Sequence, residues 1–277
     1  MQQPPWIEAP PPPPRVAPPR VIGVRRAAGH PEATADPAPN PDLAIRWRCL
    51  AAGIVAAWGL SFVLPGMFVW FLAAIPHEMG HATVGCLLGR PSAPAISLSG
   101  HAWAGIGERS DLLVWLLALA AGAAAFGWRH RLPLAIACGA TAVAIPAIAF
   151  AEAADIVITA AGHLGELAFA AYCYAICWSG GRTGTPAERG AGAMAGALLQ
   201  FGNLKLCWGL LHDPAVREHY ATSGSLGLKN DYLVLAEDLC HCGLGRIAGI
   251  MLVVAVLPLP LGLWWGHRRA LGEPSEG

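Results

Sequence analysis

Residues 67–88 read MFVWFLAAIPHEMGHATVGCLL, one apolar run that contains the polar pattern H-E-x-x-H at residues 77–81. The run is long enough for a helix that crosses the hydrocarbon core of a membrane, which needs about 20 residues. A helix places positions i and i+4 on one face, so His77 and His81 can bind one zinc ion together. Glu78 lies beside them and can take a proton from a zinc-bound water. We therefore expect two metal ligands and a general base on one helix.

The apolar surroundings of this pattern favour the catalytic interpretation. H-E-x-x-H is short enough to occur by chance. A carboxylate and two imidazoles inside a membrane-spanning helix, however, each carry a large insertion penalty, and such groups persist mainly where they face a protein interior or a wet cavity. Gly80, inside the pattern, leaves room for another helix or a peptide to approach the metal face.

The composition indicates a polytopic membrane protein. Of 277 residues, 55% are hydrophobic and 13% are charged, whereas an ordinary soluble domain has about 25% charged residues. The net charge is zero, which excludes nucleic-acid binding by a basic surface. The expected partners are membrane lipid and a membrane-protein or peptide substrate. Six of the eight cysteines lie in apolar runs, where cysteine behaves as a small hydrophobic residue, so we expect no disulfide framework.

The order of apolar segments predicts an all-α polytopic membrane protein, a bundle of 6-7 transmembrane helices. The number is open at Pro65-Gly66, which either forms a tight turn between the first two segments or kinks a single element that runs from Cys49 to Leu88. The apolar segments are residues 49–64, 67–88, 112–128, 132–150, 155–178, 190–211 and 246–265.

Polar stretches divide the chain further. Arg46 and Arg48 precede the first apolar segment and indicate a cytoplasmic N-terminus. We expect the protein to lie in a bacterial inner membrane.

We expect a short amphipathic helix near Tyr232 to Cys240. The predicted parts are a disordered proline-rich tail (1–44), a membrane-embedded metallopeptidase core (45–211), a polar membrane-surface segment (212–245), and a C-terminal transmembrane helix with a short tail (246–277).

A small hairpin is predicted directly after the H-E-x-x-H segment. In residues 92–107, larger side chains alternate with small ones, and Ser99-Gly100 is a possible turn. We expect a membrane-associated hairpin whose edge could accept a substrate strand. The other interpretation is a plain connecting loop.

A catalytic zinc usually has three protein ligands and a water, so a third ligand must come from elsewhere. The best candidates are His163 and Glu166, which are three residues apart on one face of the fifth apolar segment. Gly162 and Gly165 beside them permit close approach to residues 67–88. Either Glu166 or His163 can be the ligand, with the other hydrogen-bonding a ligand or stabilising the oxyanion. The alternative is a pair that satisfies itself within the helix.

With H-E-x-x-H inside an apolar span, the chain resembles the site-2 protease family of intramembrane zinc metallopeptidases over the residues around Ala74 to Leu88. The resemblance implies zinc-dependent hydrolysis of peptide bonds in or near the bilayer, with His77 and His81 as ligands and Glu78 as the general base. That family takes its third ligand from an aspartate in a Leu-Asp-Gly motif on a later span. This chain contains no Leu-Asp-Gly, so residues 162–166 would have to replace it.

Two other classes of function use the same residues. A metal carrier or a pseudoprotease would bind metal without hydrolysing anything and would need no base. A di-metal carboxylate oxidoreductase would use Glu78-x-x-His81 as half of its site, but it requires a second Glu-x-x-His. His163-x-x-Glu166 has the opposite order.

Overall fold

The computed structural model describes residues 41–63, 66–97, 101–180, 184–223 and 229–272. Most of the predicted tail, together with Pro65 and the Ser99-Gly100 turn, lies outside these residues. The first helix begins at Pro41, so it includes the last residues of the segment predicted as a tail.

Helices make up most of the described chain, as the sequence predicts. They are α1 (Pro41–Val63), α2 (Gly66–Leu87), α3 (Asp111–Gly127), α4 (Leu132–Ala149), α5 (Ala153–Ser179), α6 (Pro186–His212), α7 (Pro214–Thr222), α8 (Asp231–Leu233), α9 (Leu244–Val256) and α10 (Pro258–Gly272). Helix α8 continues as a π-helix, Val234–Leu239. Each predicted apolar segment forms a helix. The last forms two, because Pro258 has no N–H to continue the hydrogen bonding of α9.

Four helical segments of the described chain are long and apolar enough to cross a membrane: Asp42–Val63, Leu132–Ala149, Ala153–Ser179 and Leu244–Ala270. Helix α3 is shorter, with 17 residues. Helix α2 has the length, but His77, Glu78 and His81 lower its mean hydropathy. The larger number of spans predicted from the sequence stays a prediction.

The predicted hairpin is confirmed. Strands β1 (Ser92–Ile96) and β2 (Ala102–Ile106) pair antiparallel, with Ser92 opposite Ile106 and Ala95 opposite Trp103. The Gly107 N–H donates to the Pro91 carbonyl at 2.8 Å and extends the ladder. The hairpin packs on α2, and so it lies next to the H-E-x-x-H residues.

Helix α5 is the centre of the bundle and packs against α2, α6 and α10. Helices α2 and α5 nearly touch at two glycines: a Cβ added to Gly165 would lie 2.5 Å from the Pro76 carbonyl oxygen and 2.9 Å from the Gly80 Cα. Such contact is possible only where side chains are absent. The close approach predicted for these glycines is therefore confirmed.

Helices α2 and α6 both run antiparallel to α5. Arg90, just after α2, pairs with Asp155 in the first turn of α5 at 2.8 Å, and the α6 residue Asn203 meets His163 of α5 at 3.2 Å. The end of α2, the start of α5 and the end of α6 therefore share one end of the bundle with the hairpin. We call it the hairpin end.

The segment predicted to lie on the membrane surface, residues 212–245, is partly buried. Tyr232 and Ala236 are fully buried and pack against Cys207 and Leu210 of α6. The helix expected near Tyr232 to Cys240 is present as α8 and its π-helical continuation. The apolar side chains of this part of the segment pack into the bundle core. Its placement at the membrane surface stays a prediction.

Candidate metal centre

Three helices bring the polar side chains together at one level of the bundle. His77 on α2, His163 on α5 and Asn203 on α6 each lie about ten residues from the hairpin end of their helix. At 1.5 Å per residue, the site is about 15 Å inside that end. The predicted meeting of the α2 and α5 polar groups is confirmed, and a fourth segment, α8, adds a group that the sequence analysis did not select.

That group is Asp231, the first residue of α8. Its Oδ2 lies 3.0 Å from His77 Nε2 and 3.1 Å from His81 Nε2, and the two Nε2 atoms are 3.2 Å apart. Ligand atoms about 2.0–2.1 Å from a tetrahedral zinc ion lie about 3.3 Å from one another. These three atoms thus form a nearly equilateral triangle of the size that one metal ion requires.

Hydrogen bonds orient both histidine rings for metal binding. His81 Nδ1 lies 2.7 Å from the Ile158 carbonyl oxygen, which can only accept, so Nδ1 carries the proton. His77 Nδ1 donates in the same way to Glu166 Oε1 at 2.6 Å. In the neutral rings each Nε2 then directs a lone pair at the other and at Asp231. Such a group of acceptors is stable only with a cation at its centre, either a metal ion or protons on the rings.

Glu166 is not part of the triangle, and its assignment as a possible ligand stays a prediction. It lies behind the His77 ring, on the Nδ1 side. Its Oε1 accepts from His77 and, at 3.2 Å, from His163 Nδ1, and its Oε2 accepts from Asn203 Nδ2 at 2.6 Å. Glu166 lies one turn after Gly162 on α5, so its carboxylate reaches the Nδ1 side of the His77 ring and not the Nε2 side. Its role in the structure is to orient histidines.

His163 lies beside the triangle. Its ring packs edge-on to His77, with centroids 4.7 Å apart, and against Tyr232, with centroids 4.3 Å apart. One ligand atom each of His163, His77 and Asp231 lie within 4.8 Å of one another. This set is looser than the one with His81, so His163 is the weaker candidate ligand. Since its Nδ1 faces Glu166 and Asn203 Oδ1, its Nε2 is the nitrogen left for a bound group.

The segment around Asp231 is held in place by α7. Asn230 Nδ2 donates to the Tyr220 carbonyl oxygen at 2.5 Å, and the Tyr232 N–H donates to the Tyr220 hydroxyl at 3.4 Å. Burial acts to raise the pKa of Asp231, but hydrogen bonds from His77 and His81 and their charge outweigh it and hold the pKa below its ordinary value. The carboxylate is therefore ionised, the form that binds a metal.

Sequence reasoning missed Asp231 because its segment holds five acidic residues with no spacing pattern. One signal was present: Asp231 is the acid that directly precedes the apolar residues Tyr232-Leu233-Val234-Leu235. When a helix is buried, a carboxylate at its start loses contact with water and needs a hydrogen-bonding or positively charged partner.

Glu78 lines a cavity of about 410 Å³ together with His77, His81 and Asp231. It is 7% exposed, and no hydrogen bond to its carboxylate is present among the described residues. The remaining walls come from α2, the hairpin and α7, including Trp70, Trp103, Ile106 and Tyr220. A carboxylate beside the metal-binding atoms, in a cavity large enough for a peptide group, can act as a base.

Gly162 is required by this geometry. A Cβ at this position would lie 2.6 Å from His77 Nε2 and would also collide with His81 Nε2. The absence of a side chain on α5 therefore makes the space in which the two Nε2 atoms face Asp231.

Comparisons with protein-family models, with curated proteins and with solved structures find no match to this chain.

Proposed function

We propose that this chain is a membrane-embedded zinc metallopeptidase that hydrolyses peptide bonds in or near the bilayer. The observation that carries the proposal is the triangle of His77 Nε2, His81 Nε2 and Asp231 Oδ2, with sides of 3.0–3.2 Å. Three protein ligands with a position left open are typical of catalytic zinc, whereas structural zinc usually has four. Glu78 in the same cavity supplies the base that hydrolysis needs.

Asp231 also bears on the resemblance to the site-2 protease family. It would give the chain the ligand set of two histidines and one aspartate, although it lies in Asn230-Asp231-Tyr232 and not in Leu-Asp-Gly. Imidazole and carboxylate ligands suit zinc. The hydrogen bonds from both Nδ1 atoms leave each Nε2 lone pair for a metal, in the tautomer that zinc requires.

Each residue then has a distinct task. When bound, zinc lowers the pKa of a water and polarises the scissile carbonyl. Glu78 takes the proton of the attacking water and returns it to the leaving amine. His163, with its Nδ1 facing the Glu166 carboxylate, has its Nε2 left to interact with the carbonyl oxygen as negative charge develops there. Glu166 orients His77 and His163 together.

We also propose six membrane crossings, with the chain in a bacterial inner membrane. Helix α1 packs along α6 while α2 packs along α5, and the two do not pack on each other as a helical hairpin. Helix α1 begins at the end of the bundle opposite the hairpin, and α2 ends at the hairpin end, so together they cross once. This agrees with the interpretation of residues 49–88 as one kinked element.

A metal-binding protein without hydrolytic activity is the second candidate, since it would use the same triangle. Glu78 distinguishes the two. For the peptidase, Glu78→Gln binds zinc like the wild type and no longer cleaves membrane-spanning test peptides in detergent or vesicles. Equal cleavage by Glu78→Gln would rule the mechanism out. Wild-type protein that binds zinc and cleaves none of a broad peptide set would favour the second candidate.

A further inference from the structure

The two ends of the bundle differ in charge. The end opposite the hairpin end holds the start of α1: Asp42 lies 3.8 Å from Arg189 Nη2, and Trp47 packs edge-on to Trp178 at 4.9 Å. Helix α10 runs parallel to α5 and ends there too, since Gly266 packs against the Trp178 side chain.

The turn between α3 and α4 also lies at this opposite end. The start of α3 and the end of α4 both lie at the hairpin end. There the Ser110 N–H donates to the Gly89 carbonyl oxygen at 2.8 Å, and Arg109 Nη1 donates to the Ala149 carbonyl oxygen at 3.0 Å. The two helices pack along each other. The turn that joins them is therefore about 25 Å away, the length of α3.

Arginines collect at this second end, which we call the arginine end. Those in the described chain are Arg46, Arg48, Arg129, Arg131, Arg189, Arg268 and Arg269. At the hairpin end the basic residues are fewer, and most have an acid nearby. They are Arg90, Arg109, Arg217, Lys229 and Arg246, accompanied by Glu108, Asp111, Glu152, Asp155, Asp213, Glu218, Asp231, Glu237 and Asp238.

Most of the cavity wall beyond the polar side chains of the candidate metal centre comes from the hairpin end, while Trp70, Ala73 and Ala74 of α2 line its other side. The part from the hairpin end is formed by β2 and by Tyr220, Lys229 and Asn230. On the arginine side of the centre, Tyr174 donates to Gln200 Oε1 at 2.8 Å, and Gln200 Nε2 donates to the Ala255 carbonyl oxygen at 2.9 Å. The apolar cluster around Cys177 and Ala197 packs beyond them. A substrate cannot reach the centre through this packed layer.

We infer that the metal centre takes its substrate from the non-cytoplasmic side of the membrane. Positively charged residues near the ends of spans favour the cytoplasmic side, so the arginine end is cytoplasmic and the hairpin end faces away. The substrate is a peptide segment that lies on, or enters the bilayer from, the non-cytoplasmic face, and the bond to be cut lies within about 15 Å of the hairpin-end helix termini. The substrate class rests on the proposed function; the orientation does not.

Cys240 offers a direct test, because it is an exposed thiol at the hairpin end. Sealed right-side-out and inside-out vesicles from expressing cells are treated with a membrane-impermeant maleimide. We expect labelling of the wild-type protein in right-side-out vesicles and its loss in Cys240→Ser, Cys242→Ser. In that double variant, Arg268→Cys should restore labelling in inside-out vesicles alone. The reverse pattern would overturn the orientation.

The opening of the cavity is tested in the same double variant. Ala104→Cys places a thiol on β2 in the cavity wall, and a small charged thiosulfonate should reach it from the right-side-out surface. Reaction from the inside-out surface alone would overturn the inference. Neither labelling experiment requires cleavage, so a protein without peptidase activity can still show this orientation, and an active peptidase can still contradict it.

Discussion

Oδ2 of Asp231 lies 3.1 Å from Nε2 of His81, although 150 residues separate them in the chain. The contact joins α2 to the segment beyond α7, so that the Nε2 atoms of His77 and His81 and the Oδ2 atom of Asp231 converge on one point. Asp231 is only partly exposed, unlike the exposed acids Glu237 and Asp238, and has two histidine partners.

If Asp231 is a ligand, Asp231→Asn should lower zinc affinity at least about tenfold, the scale of losing an anionic ligand or its close partner. The neutral amide keeps the shape but not the charge. Asp238→Asn is the matched control, since that carboxylate is exposed and pairs with Lys229 at 2.7 Å. Competition with a fluorescent zinc chelator measures both. Equal affinities in the two variants would exclude Asp231.

Glu166 should act through His77 and His163. We expect Glu166→Gln to weaken zinc binding about 10- to 100-fold, the cost of removing a carboxylate that supports a ligating histidine, and to lower the cleavage rate at saturating zinc. Glu152→Gln, just before α5, is the control. If Glu166 were only a packing residue, the variant would bind zinc and cleave like the control once folded.

Gly162→Ala should abolish zinc binding without unfolding the helix. A methyl group there meets both Nε2 atoms, whereas alanine stabilises a helix interior by about 0.5–1 kcal/mol relative to glycine. Gly139→Ala on α4 is the control, since no atom lies within 4 Å of its added Cβ. Zinc content and thermal unfolding in detergent are compared. A Gly162→Ala protein with full zinc would place the metal elsewhere.

Removal of the metal should be reversible. Incubation with a strong chelator should abolish cleavage, and one equivalent of zinc should restore it, because the ligands are held by hydrogen bonds of the protein itself, such as His81 Nδ1 to Ile158. Circular dichroism before and after checks that the helices persist. Cleavage that continues in the metal-free protein would contradict a zinc-dependent reaction.

Much of this architecture follows from local sequence patterns. Apolar runs predict the helices, small residues around Ser99 predict the hairpin, and the i,i+4 spacing of His77 and His81 predicts their shared face. Gly162 and His163 also indicate where α5 meets α2. The position of Asp231 depends on how α7 and α8 pack, which no periodicity encodes. The sequence therefore suggests Glu166 or His163 as the third ligand and does not select Asp231, the carboxylate that lies within 3.1 Å of both Nε2 atoms.

X-ray absorption at the zinc edge of the purified protein tests the central claim most directly. The account predicts one zinc per chain with only nitrogen and oxygen neighbours at about 2.0–2.1 Å, outer scattering from two imidazoles, and loss of the zinc in His77→Ala. Wild-type protein without zinc, or zinc with sulfur neighbours at about 2.3 Å as Cys240 and Cys242 would provide, would contradict it.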